Sequence, residues 1–521
     1  MTKTYDIAIV GSGFGGSLLA MTAKKSGRSV VLIEKSQHPR FVIGESSTPL
    51  ANLMLEQLCI EYDLPSIRPL CKWGSWQKEK PEIPVGLKRG FSYFHHDWDQ
   101  PFEATGNHDN ELLVAASPHN QLSDTHWYRP DFDHYLVKEA QKTGVDYFDQ
   151  TEITSVDFGE NDVVLQGVRG NTELKFKSKV MVDASGQRGF LYHQLNLDEA
   201  PIDHMPPTQG IYAHFRGLKS WEHQDKAGNE TPYPVDGSAI HHLFEGGWFW
   251  ILHFNNGITS AGLSLRDDLA QKYQLNGSEA AWNRVVDHFP SVKELFDEAE
   301  PITPFYHLPS MQFRSAQIAG DRWAMLPAAA CFVDPMMSTG FPVNLLGIQR
   351  LSEIFSNVKN LDNPRDYFAN YARQTSHGID DVSLMIAALY RNFSDFRLFT
   401  ALSKLYFTAA SYSETMIRLG YPDRAQSFLL FDHPEFGPQA RDCYHKALKD
   451  LDQSQRKALI EQIYKTIEPF DVAGLEDLNR KNYYPALAED ILENADKLKV
   501  GRDEIEESLK KTGFILRNQN Y

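Results

Sequence analysis

The chain has 521 residues, of which 42% are hydrophobic and 23% are charged, and its formal net charge at pH 7 is −17. This length allows about three domains of ordinary size, and the composition is typical of a folded protein rather than a disordered or fibrous one. The negative charge argues against a nucleic-acid partner, because phosphate binding requires a surplus of Lys and Arg on one surface.

The sequence shows neither a membrane-spanning run of about 20 apolar residues nor the basic and apolar regions of a signal peptide. The cysteines, Cys59, Cys71, Cys331 and Cys443, are scattered without the spacing of a zinc site or a redox motif. We therefore expect a cytoplasmic protein with reduced thiols, no transmembrane segment and no metal site.

The first elements in chain order form a βαβ pattern. Residues 5–10 predict a buried strand, residues 17–26 a helix and residues 29–34 a second buried strand. Between the first strand and the helix, Gly11, Gly13 and Gly16 form a G-x-G-x-x-G turn, which permits close approach of a pyrophosphate to the helix N-terminus. Glu34 ends the second strand, where a carboxylate can bind ribose hydroxyls. This pattern predicts a Rossmann unit that binds a dinucleotide.

Three further regions follow along the chain. Residues 158–182 predict a β-meander that leads into a buried strand ending at Asp183. Residues 210–265 are strand-like and rich in aromatic residues, which indicates an antiparallel sheet forming one wall of a cavity. From about Pro364 the pattern becomes helical, for example over 441–464 and 501–511.

Four short motifs, in this order along the chain, resemble those of flavin-dependent halogenases and related FAD monooxygenases. They are Gly44-Glu45-Ser46, Arg129-Pro130-Asp131-Phe132-Asp133, Asp183-Ala184-Ser185-Gly186, and the segment from Asp334 to Gly340. The resemblance implies that Arg129 lies near the flavin, that Asp183 lies beside the adenosine, and that residues 334–340 run under the isoalloxazine. It therefore implies FAD as the cofactor.

This resemblance also implies an α/β fold with an FAD-binding Rossmann-type (GR2-like) domain, an antiparallel β-sheet substrate domain and a helical C-terminal domain. We expect the FAD domain to comprise residues 1–80, 130–195 and 316–360, the sheet domain 81–129 and 196–315, and the helical domain 361–521. The predicted cofactor-binding residues are Gly11, Gly13, Phe14, Gly15, Gly16, Glu34, Lys35, Glu45, Ser46, Arg129, Asp183, Asp334 and Gly340.

The chain departs from the family pattern in two places. A Gly-Asp pair usually precedes the Asp-Pro segment, but here Ala328 stands in place of the Asp, or the Asp is absent. The loss of this acceptor favours loosely held flavin, delivered in reduced form by a separate flavin reductase. Trp248 and Trp250 resemble a W-x-W-x-I-P signature, but Leu252 and His253 replace its Ile-Pro. The alternative is that both tryptophans simply pack in a sheet core.

The segment from Gly86 to Phe94 is similar to the part of phenol and pyrrole halogenases that carries the active-site lysine, here Lys88. Strand alternation predicts that Lys88, Gly90, Ser92 and Phe94 share one face, and the two small residues would leave space beside the lysine. The alternative is a surface Lys-Arg pair on an edge strand.

The resemblance implies halogenation with FADH2, O2 and chloride or bromide. The halide would lie near Ser338, Thr339 and Gly340, and Lys88 would direct hypohalous acid, as an ammonium or as a neutral amine. Met337 stands where tryptophan halogenases carry a Glu, which favours a phenol or pyrrole substrate, free or bound to a carrier protein.

Other interpretations remain open from the sequence. His95, His96 and His253 are candidate acid/base groups, or are structural histidines held by hydrogen bonds. The chain as a whole is alternatively an FAD-dependent monooxygenase or reductase of an apolar substrate, or a non-catalytic flavin-binding partner in a biosynthetic complex.

Overall fold

A computed structural model describes residues 3–221, 231–425 and 427–515 of the chain. Residues 222–230 of the predicted sheet domain, and residues 426 and 516–521 of the predicted helical domain, lie outside the described residues. Within the described ranges, no helix combines the length and the apolar character needed to cross a membrane.

The strands in these ranges are β1 (Thr4–Val10), β2 (Val30–Ile33), β3 (Val85–Lys88), β4 (Gly90–His95), β5 (Glu111–Ala115), β6 (Asp124–Trp127), β7 (Asp146–Phe148), β8 (Glu152–Phe158), β9 (Val163–Arg169), β10 (Thr172–Asp183), β11 (Thr208–Arg216), β12 (Ala239–Phe244), β13 (Gly247–His253), β14 (Ile258–Arg266), β15 (Glu300–Pro301), β16 (Tyr306–Leu308), β17 (Phe313–Arg314), β18 (Trp323–Met325), β19 (Cys331–Phe332) and β20 (Tyr483–Tyr484).

The α-helices in the same ranges are α1 (Phe14–Lys25), α2 (Pro49–Glu61), α3 (Trp73–Glu79), α4 (Arg129–Lys142), α5 (Phe190–Gln194), α6 (Asp267–Lys272), α7 (Glu279–Val286), α8 (Pro290–Leu295), α9 (Pro327–Ala330), α10 (Gly340–Asn357), α11 (Arg365–Arg391), α12 (Phe396–Arg418), α13 (Phe436–Ala447), α14 (Gln453–Ile467), α15 (Ala488–Glu493), α16 (Ala495–Leu498) and α17 (Arg502–Thr512).

The first sheet contains the predicted Rossmann unit. Its strand order is β7-β2-β1-β10-β9-β8, and β18 pairs with the last three residues of β10. The pairs β1–β2, β1–β10, β2–β7 and β10–β18 are parallel, whereas β8, β9 and β10 form the predicted meander. Strand β2 is buried along its whole length because parallel sheets are covered on both faces. The turn between β1 and α1 therefore opens at the carboxyl edge of this sheet.

The second sheet forms the wall that the aromatic-rich region predicted. Its order is β15-β11-β14-β13-β12-β4-β5-β20, and it is largely antiparallel, with β12 running parallel to β4. Alternation along β13 directs Trp248, Trp250 and Leu252 into the main hydrophobic core. Phe249 and Ile251 point to the other face, into a separate core that contains Trp282 of α7.

The C-terminal part of the chain is helical, as predicted, and packs against both sheets. The predicted helix over 441–464 is in fact two helices, α13 and α14, because Asp452 starts a new helix with a capping box to Gln455. Strand β20 returns to the second sheet beside β5. The α/β fold with a helical C-terminal region is confirmed, while the domain boundaries stay predictions.

Close backbone approach at Gly16 gives a test of the fold. A Cβ atom at residue 16 would lie 1.9 Å from the Gly11 carbonyl oxygen, so Gly16→Ala must displace the turn or the helix and should lower the melting temperature. The matched control is Gly378→Ala in α11, where a Cβ atom would have no neighbour within 4 Å in the part of the chain that the structure describes. Alanine should stabilise that helix by about 0.5–1 kcal/mol. Equal melting temperatures for the two variants, measured by thermal denaturation, would contradict this account.

Candidate functional site

The glycine turn at the carboxyl edge of the first sheet is shaped for close approach. Gly11 has φ +100°, and a Cβ atom there would lie 2.5 Å from the Ala184 backbone, so only glycine fits. By contrast, a Cβ atom at Gly13 would lie 3.6 Å from its nearest neighbours, Arg129 Nη2 and Asp133 Oδ2. Space is therefore left in front of the turn at the N-terminus of α1, where a phosphate group can bind.

Glu34 lies beside this turn, as predicted. Its Oε2 accepts hydrogen bonds from the Ser12 N–H at 3.0 Å and the Ser12 hydroxyl at 3.1 Å. Burial alone would raise the pKa of Glu34, but the charge of Arg40 and the backbone N–H groups hold it below its ordinary value. The carboxylate is thus ionised and fixed at the end of β2.

Arg129 holds the Gly44-Glu45-Ser46 segment in place. It forms a bidentate pair with Asp133, with both N–O distances at 2.8 Å, and donates to the Gly44 carbonyl at 2.8 Å. Glu45 Oε1 pairs with His214 Nε2 at 2.8 Å, whereas its buried Oε2 has no hydrogen-bond partner among the residues that the structure describes. An unpartnered buried carboxylate oxygen of this kind is consistent with a site that a polar ligand completes.

A cleft of about 820 Å³, open to solvent, lies beside this segment. One wall, called the tryptophan wall below, is formed by Trp248, Trp250 and Leu252 of β13, and the lining also includes Glu45, Ser46, Asp334, Ser338 and Gly340. A Cβ atom at Gly340 would meet no atom of the described residues within 4 Å. The N-terminus of α10 therefore faces open space in the cleft.

Asp334 anchors the tryptophan wall to the segment before α10. Its carboxylate accepts hydrogen bonds from the Tyr390 hydroxyl at 2.7 Å and the Met336 N–H at 2.9 Å, and burial raises its pKa to about 7. The Tyr390 hydroxyl also accepts a hydrogen bond from Trp248 Nε1 at 2.8 Å. Trp248 is thereby fixed by a specific hydrogen bond as well as by packing.

Lys88 is completely buried, so the alternative of a surface lysine is wrong. Its Nζ donates to the Ser47 carbonyl at 2.6 Å, the Ser46 hydroxyl at 2.8 Å and the Ser338 hydroxyl at 3.2 Å. It also lies 3.8 Å from the centroid of the Phe91 ring. The structure thus brings three predicted site residues, Ser46, Lys88 and Ser338, into direct contact.

The predicted neighbours of Lys88 within its own segment are wrong. The strand ends at Lys88 and a new one begins at Gly90, because the Arg89 N–H bonds to the Gly237 carbonyl instead of continuing the ladder. Lys88 therefore lies against Phe91, whereas Phe94 packs in the separate core behind the sheet. The space at Gly90 is filled by Tyr233, whose ring atoms would lie 2.7 Å from a Cβ atom there.

A second cavity of about 780 Å³, also partly open to solvent, lies between the second sheet and the C-terminal helices. Its lining is mainly apolar and includes Pro49, Phe91, Tyr406, Phe407 and Tyr484, with Glu414 at its polar side. Since Phe91 belongs to this cavity while Ser46 and Ser338 line the cleft, the Lys88 ammonium touches the lining of both.

Several predicted site residues do not join this arrangement. Lys35 is exposed, and Asp183 accepts hydrogen bonds from Ser185 and from the Leu191 N–H at the start of α5. Thr339 is buried at the N-cap of α10. Ala328, which stands at the position of the expected Asp, is exposed, and its N–H donates to Asn344 Oδ1 at 3.1 Å.

The candidate acid/base histidines lie elsewhere. His96 pairs with His242 at 3.0 Å, and burial lowers its pKa to about 3. His95 packs against the Phe396 ring, and His253 Nδ1 pairs with the Thr259 hydroxyl at 2.9 Å. These contacts favour the structural interpretation for all three.

Other residues at the site were not predicted from the sequence. His241 lines the cleft and stacks on Tyr93 with ring centroids 4.4 Å apart. Asp124 is buried on β6, directly across from Lys88 in the register of β3 and β6. His241 belongs to a polar pair in the otherwise apolar strand β12, which is a sequence signal for it, whereas the mostly polar strand β6 gives no such signal for Asp124.

The chain is similar to known protein families and to known halogenases. A family model described as tryptophan halogenase matches residues 114–396, more than half of the chain, and one described as pyridine nucleotide-disulphide oxidoreductase matches residues 5–204. Monodechloroaminopyrrolnitrin halogenase PrnC of Pseudomonas fluorescens is 28% identical over 409 residues, which cover 77% of this chain and 70% of PrnC.

A second relative is the 1H-pyrrole-2-carbonyl-[peptidyl-carrier protein] chlorinase of Pseudomonas fluorescens strain Pf-5, 26% identical, with 74% of this chain and 84% of the chlorinase covered. Among solved structures, halogenase PltM in complex with phloroglucinol and FAD has a TM-score of 0.81 at 23% identity, covering 92% of this chain and 99% of PltM. That last likeness concerns the fold.

The four motifs predicted this relationship, and the family match now includes the tryptophan wall, the segment 334–340 that contacts Lys88, and the helix that carries Tyr390. The chain belongs to the tryptophan halogenase family of oxidoreductases.

Proposed function

We propose that the chain is a flavin-dependent halogenase that acts on an electron-rich aromatic compound, a phenol or a pyrrole. The observation that carries this proposal is the position of Lys88, whose buried ammonium contacts the hydroxyls of the cleft on one side and the aromatic lining of the second cavity on the other. Halogenase relatives that use aromatic and pyrrole substrates support this assignment.

The cleft fits FAD. The Gly11 turn and the N-terminus of α1 would hold the pyrophosphate, and Glu34 the adenosine ribose. Glu45, Ser46, Asp334 and Gly340, which line the cleft, would surround the isoalloxazine. Reduced FAD, delivered by a separate flavin reductase, would supply with O2 the oxidising equivalents for halide oxidation.

Residues of the chain itself would bind the halide and direct the hypohalous acid. Chloride or bromide would bind near Ser338, Thr339 and Gly340, where the N-terminus of α10 faces the cleft. Lys88 would bind hypohalous acid by a charge-assisted hydrogen bond, or as its neutral amine. In the final step hypohalous acid replaces an aromatic C–H with carbon–halogen, and the hydroxyl leaves as water with the substrate proton.

The second cavity would hold the aromatic substrate beside Lys88. Its apolar and aromatic lining favours a flat ring, and Phe91 contacts Lys88 directly. Met337, where tryptophan halogenases carry a Glu, is buried and accepts a hydrogen bond from the Tyr93 hydroxyl at its sulfur, 3.0 Å away. The substrate is free or bound to a carrier protein.

Replacing Lys88 tests this function. The protein is incubated with FAD, a flavin reductase, NADH, bromide and a panel of phenols, pyrroles and indoles, and brominated product is detected by its isotope pattern in mass spectrometry. Lys88→Met should reduce brominated product about 100-fold or more, the scale of losing a proton-handling group. Flavin affinity and the O2 reaction should change far less than bromination, because Lys88 acts after hypohalous acid forms and the Ser338 hydroxyl still bonds the Ser46 hydroxyl directly at 3.1 Å.

The exposed Lys138 on α4 gives a matched control, since Lys138→Met should retain full activity. Bromination by Lys88→Met at the rate of the native protein would show that this lysine is structural. If the native protein makes no halogenated product but oxidises one substrate without halide, and Lys88→Met does so equally, the protein is a monooxygenase.

Gly13→Val tests the cofactor site. Gly13 has φ −62° and ψ 180°, which valine adopts, and its Cβ atom would touch only side-chain ends at 3.6 Å. The fold should therefore persist, with an unchanged melting temperature, while the valine methyl groups occupy the pyrophosphate space. FAD affinity, measured by flavin fluorescence, should fall at least ~10-fold, or about 1.4 kcal/mol. Native affinity in this variant would refute the assignment.

Bromide soaked into crystals tests the halide site. The anion should bind beside Thr339 or Gly340, because the first N–H groups of a helix have no partner within the helix and Gly340, the first residue of α10, lines the cleft. Anomalous scattering locates the bromide. Occupancy only at other positions would count against a halide site at this helix.

A further inference from the structure

Asp124 is placed opposite Lys88 by strand pairing. In the antiparallel pair of β3 and β6, Lys88 and Asp124 are direct partners in the register. Directly opposed residues project to the same face, with Cβ atoms about 4.5–5.5 Å apart. Both side chains are buried, so the ladder puts a carboxyl group and an ammonium group on the same face in the protein interior, where each charge acts on the other without a direct ion pair between them.

Only one of the two carboxylate oxygens of Asp124 has a hydrogen-bond partner among the described residues. Its Oδ1 accepts a hydrogen bond from Asn52 Nδ2 on α2 at 2.9 Å, but within the described part of the chain its buried Oδ2 has no hydrogen-bond partner. Buried carboxylate oxygens without partners are costly, so such a group usually has a role beyond packing. Burial raises the pKa of Asp124 and lowers that of Lys88, while each charge favours the charged form of the other.

The other titratable groups around this pair keep one charge state near neutral pH. Burial holds the pKa of His126 and His241 far below neutrality and that of Tyr406 far above it. Glu414 raises the pKa of Asp124, but it pairs with Arg418 at 2.8 Å, and Arg418 opposes its effect. Among these groups, Asp124 is therefore the one whose change of charge alters the pKa of Lys88.

We propose that Asp124 is a positioning residue that sets the charge state of Lys88 by supplying its counter-charge across the β3–β6 ladder. This inference rests on the proposed function for its catalytic meaning, but the coupling itself is a property of the folded protein.

The charge state of Lys88 can be measured without any halogenation. Protein labelled with ¹³Cε-lysine, with FAD added, is titrated by NMR, and the Lys88 signal is identified by its loss in Lys88→Met. In Asp124→Asn the ammonium loses its counter-charge, so the midpoint of the Lys88 titration should move to lower pH by about 1–3 units. An unmoved midpoint would overturn the proposal.

Asn52→Leu gives a second test if Asp124→Asn fails to fold. It removes the donor that stabilises the Asp124 carboxylate, so the Lys88 midpoint should move in the same direction by less, and no movement would again contradict the coupling. In bromination assays, the limb of the pH–rate profile that reports the ionisation of Lys88 should move to lower pH in the same variants. This holds whether the ammonium or the neutral amine is the active form. An NMR shift without any brominating activity in the native protein would uphold the coupling and refute the halogenase function.

Discussion

The arrangement of the site depends on one buried ammonium group. Removing a lysine from water is costly unless its donors are paired, and Lys88 Nζ meets this requirement with Ser46, Ser47 and Ser338. These acceptors lie on two segments far apart in sequence. The same hydrogen bonds that make burial of the lysine possible therefore fix the Gly44-Glu45-Ser46 segment against the segment before α10.

The second sheet makes this arrangement rigid because its two faces pack against different cores. Alternation along β13 places Trp248 and Trp250 at the cleft, while Phe249 packs behind the sheet against Trp282. A displacement of the tryptophan wall would disturb both cores, since close-packed interiors do not deform continuously. The hydrogen bonds from Trp248 through Tyr390 to Asp334 then set the wall at a fixed distance from α10.

Local patterns in the sequence predicted the parts of the site that are themselves local. The spacing of Gly11, Gly13 and Gly16 predicted the turn, because backbone approach leaves no room for a side chain at the first and last of them. The strand-like, aromatic-rich composition of residues 210–265 predicted the sheet wall. The surroundings of Lys88 were mispredicted because alternation assumes an unbroken strand, and the interruption at Arg89 comes from a bond to the distant Gly237.

The unpredicted residues share a different property. Asp124 meets Lys88 only through strand pairing, and Tyr390 reaches Trp248 from a helix 142 positions away in the chain. Hydrophobic periodicity indicates which face of an element is buried, but it does not indicate which element lies opposite. Long-range polar contacts of this kind need the tertiary structure, even when each residue is unremarkable in its own segment.

The cleft and the second cavity are built from different parts of the chain. The cleft is lined by the second sheet and by segments at the edge of the first sheet, whereas the second cavity is closed by α12 and by residues 472–491. Between them lie Lys88 and Met337, the latter held by the hydroxyls of Tyr93 and Tyr406. Substitutions of the α12 residues that line the second cavity, such as Phe407 and Ala410, can therefore reshape it without touching the residues proposed to hold the flavin. On the proposed function, substrate choice and oxidant formation are separable, and Lys88 is the residue through which they are coupled.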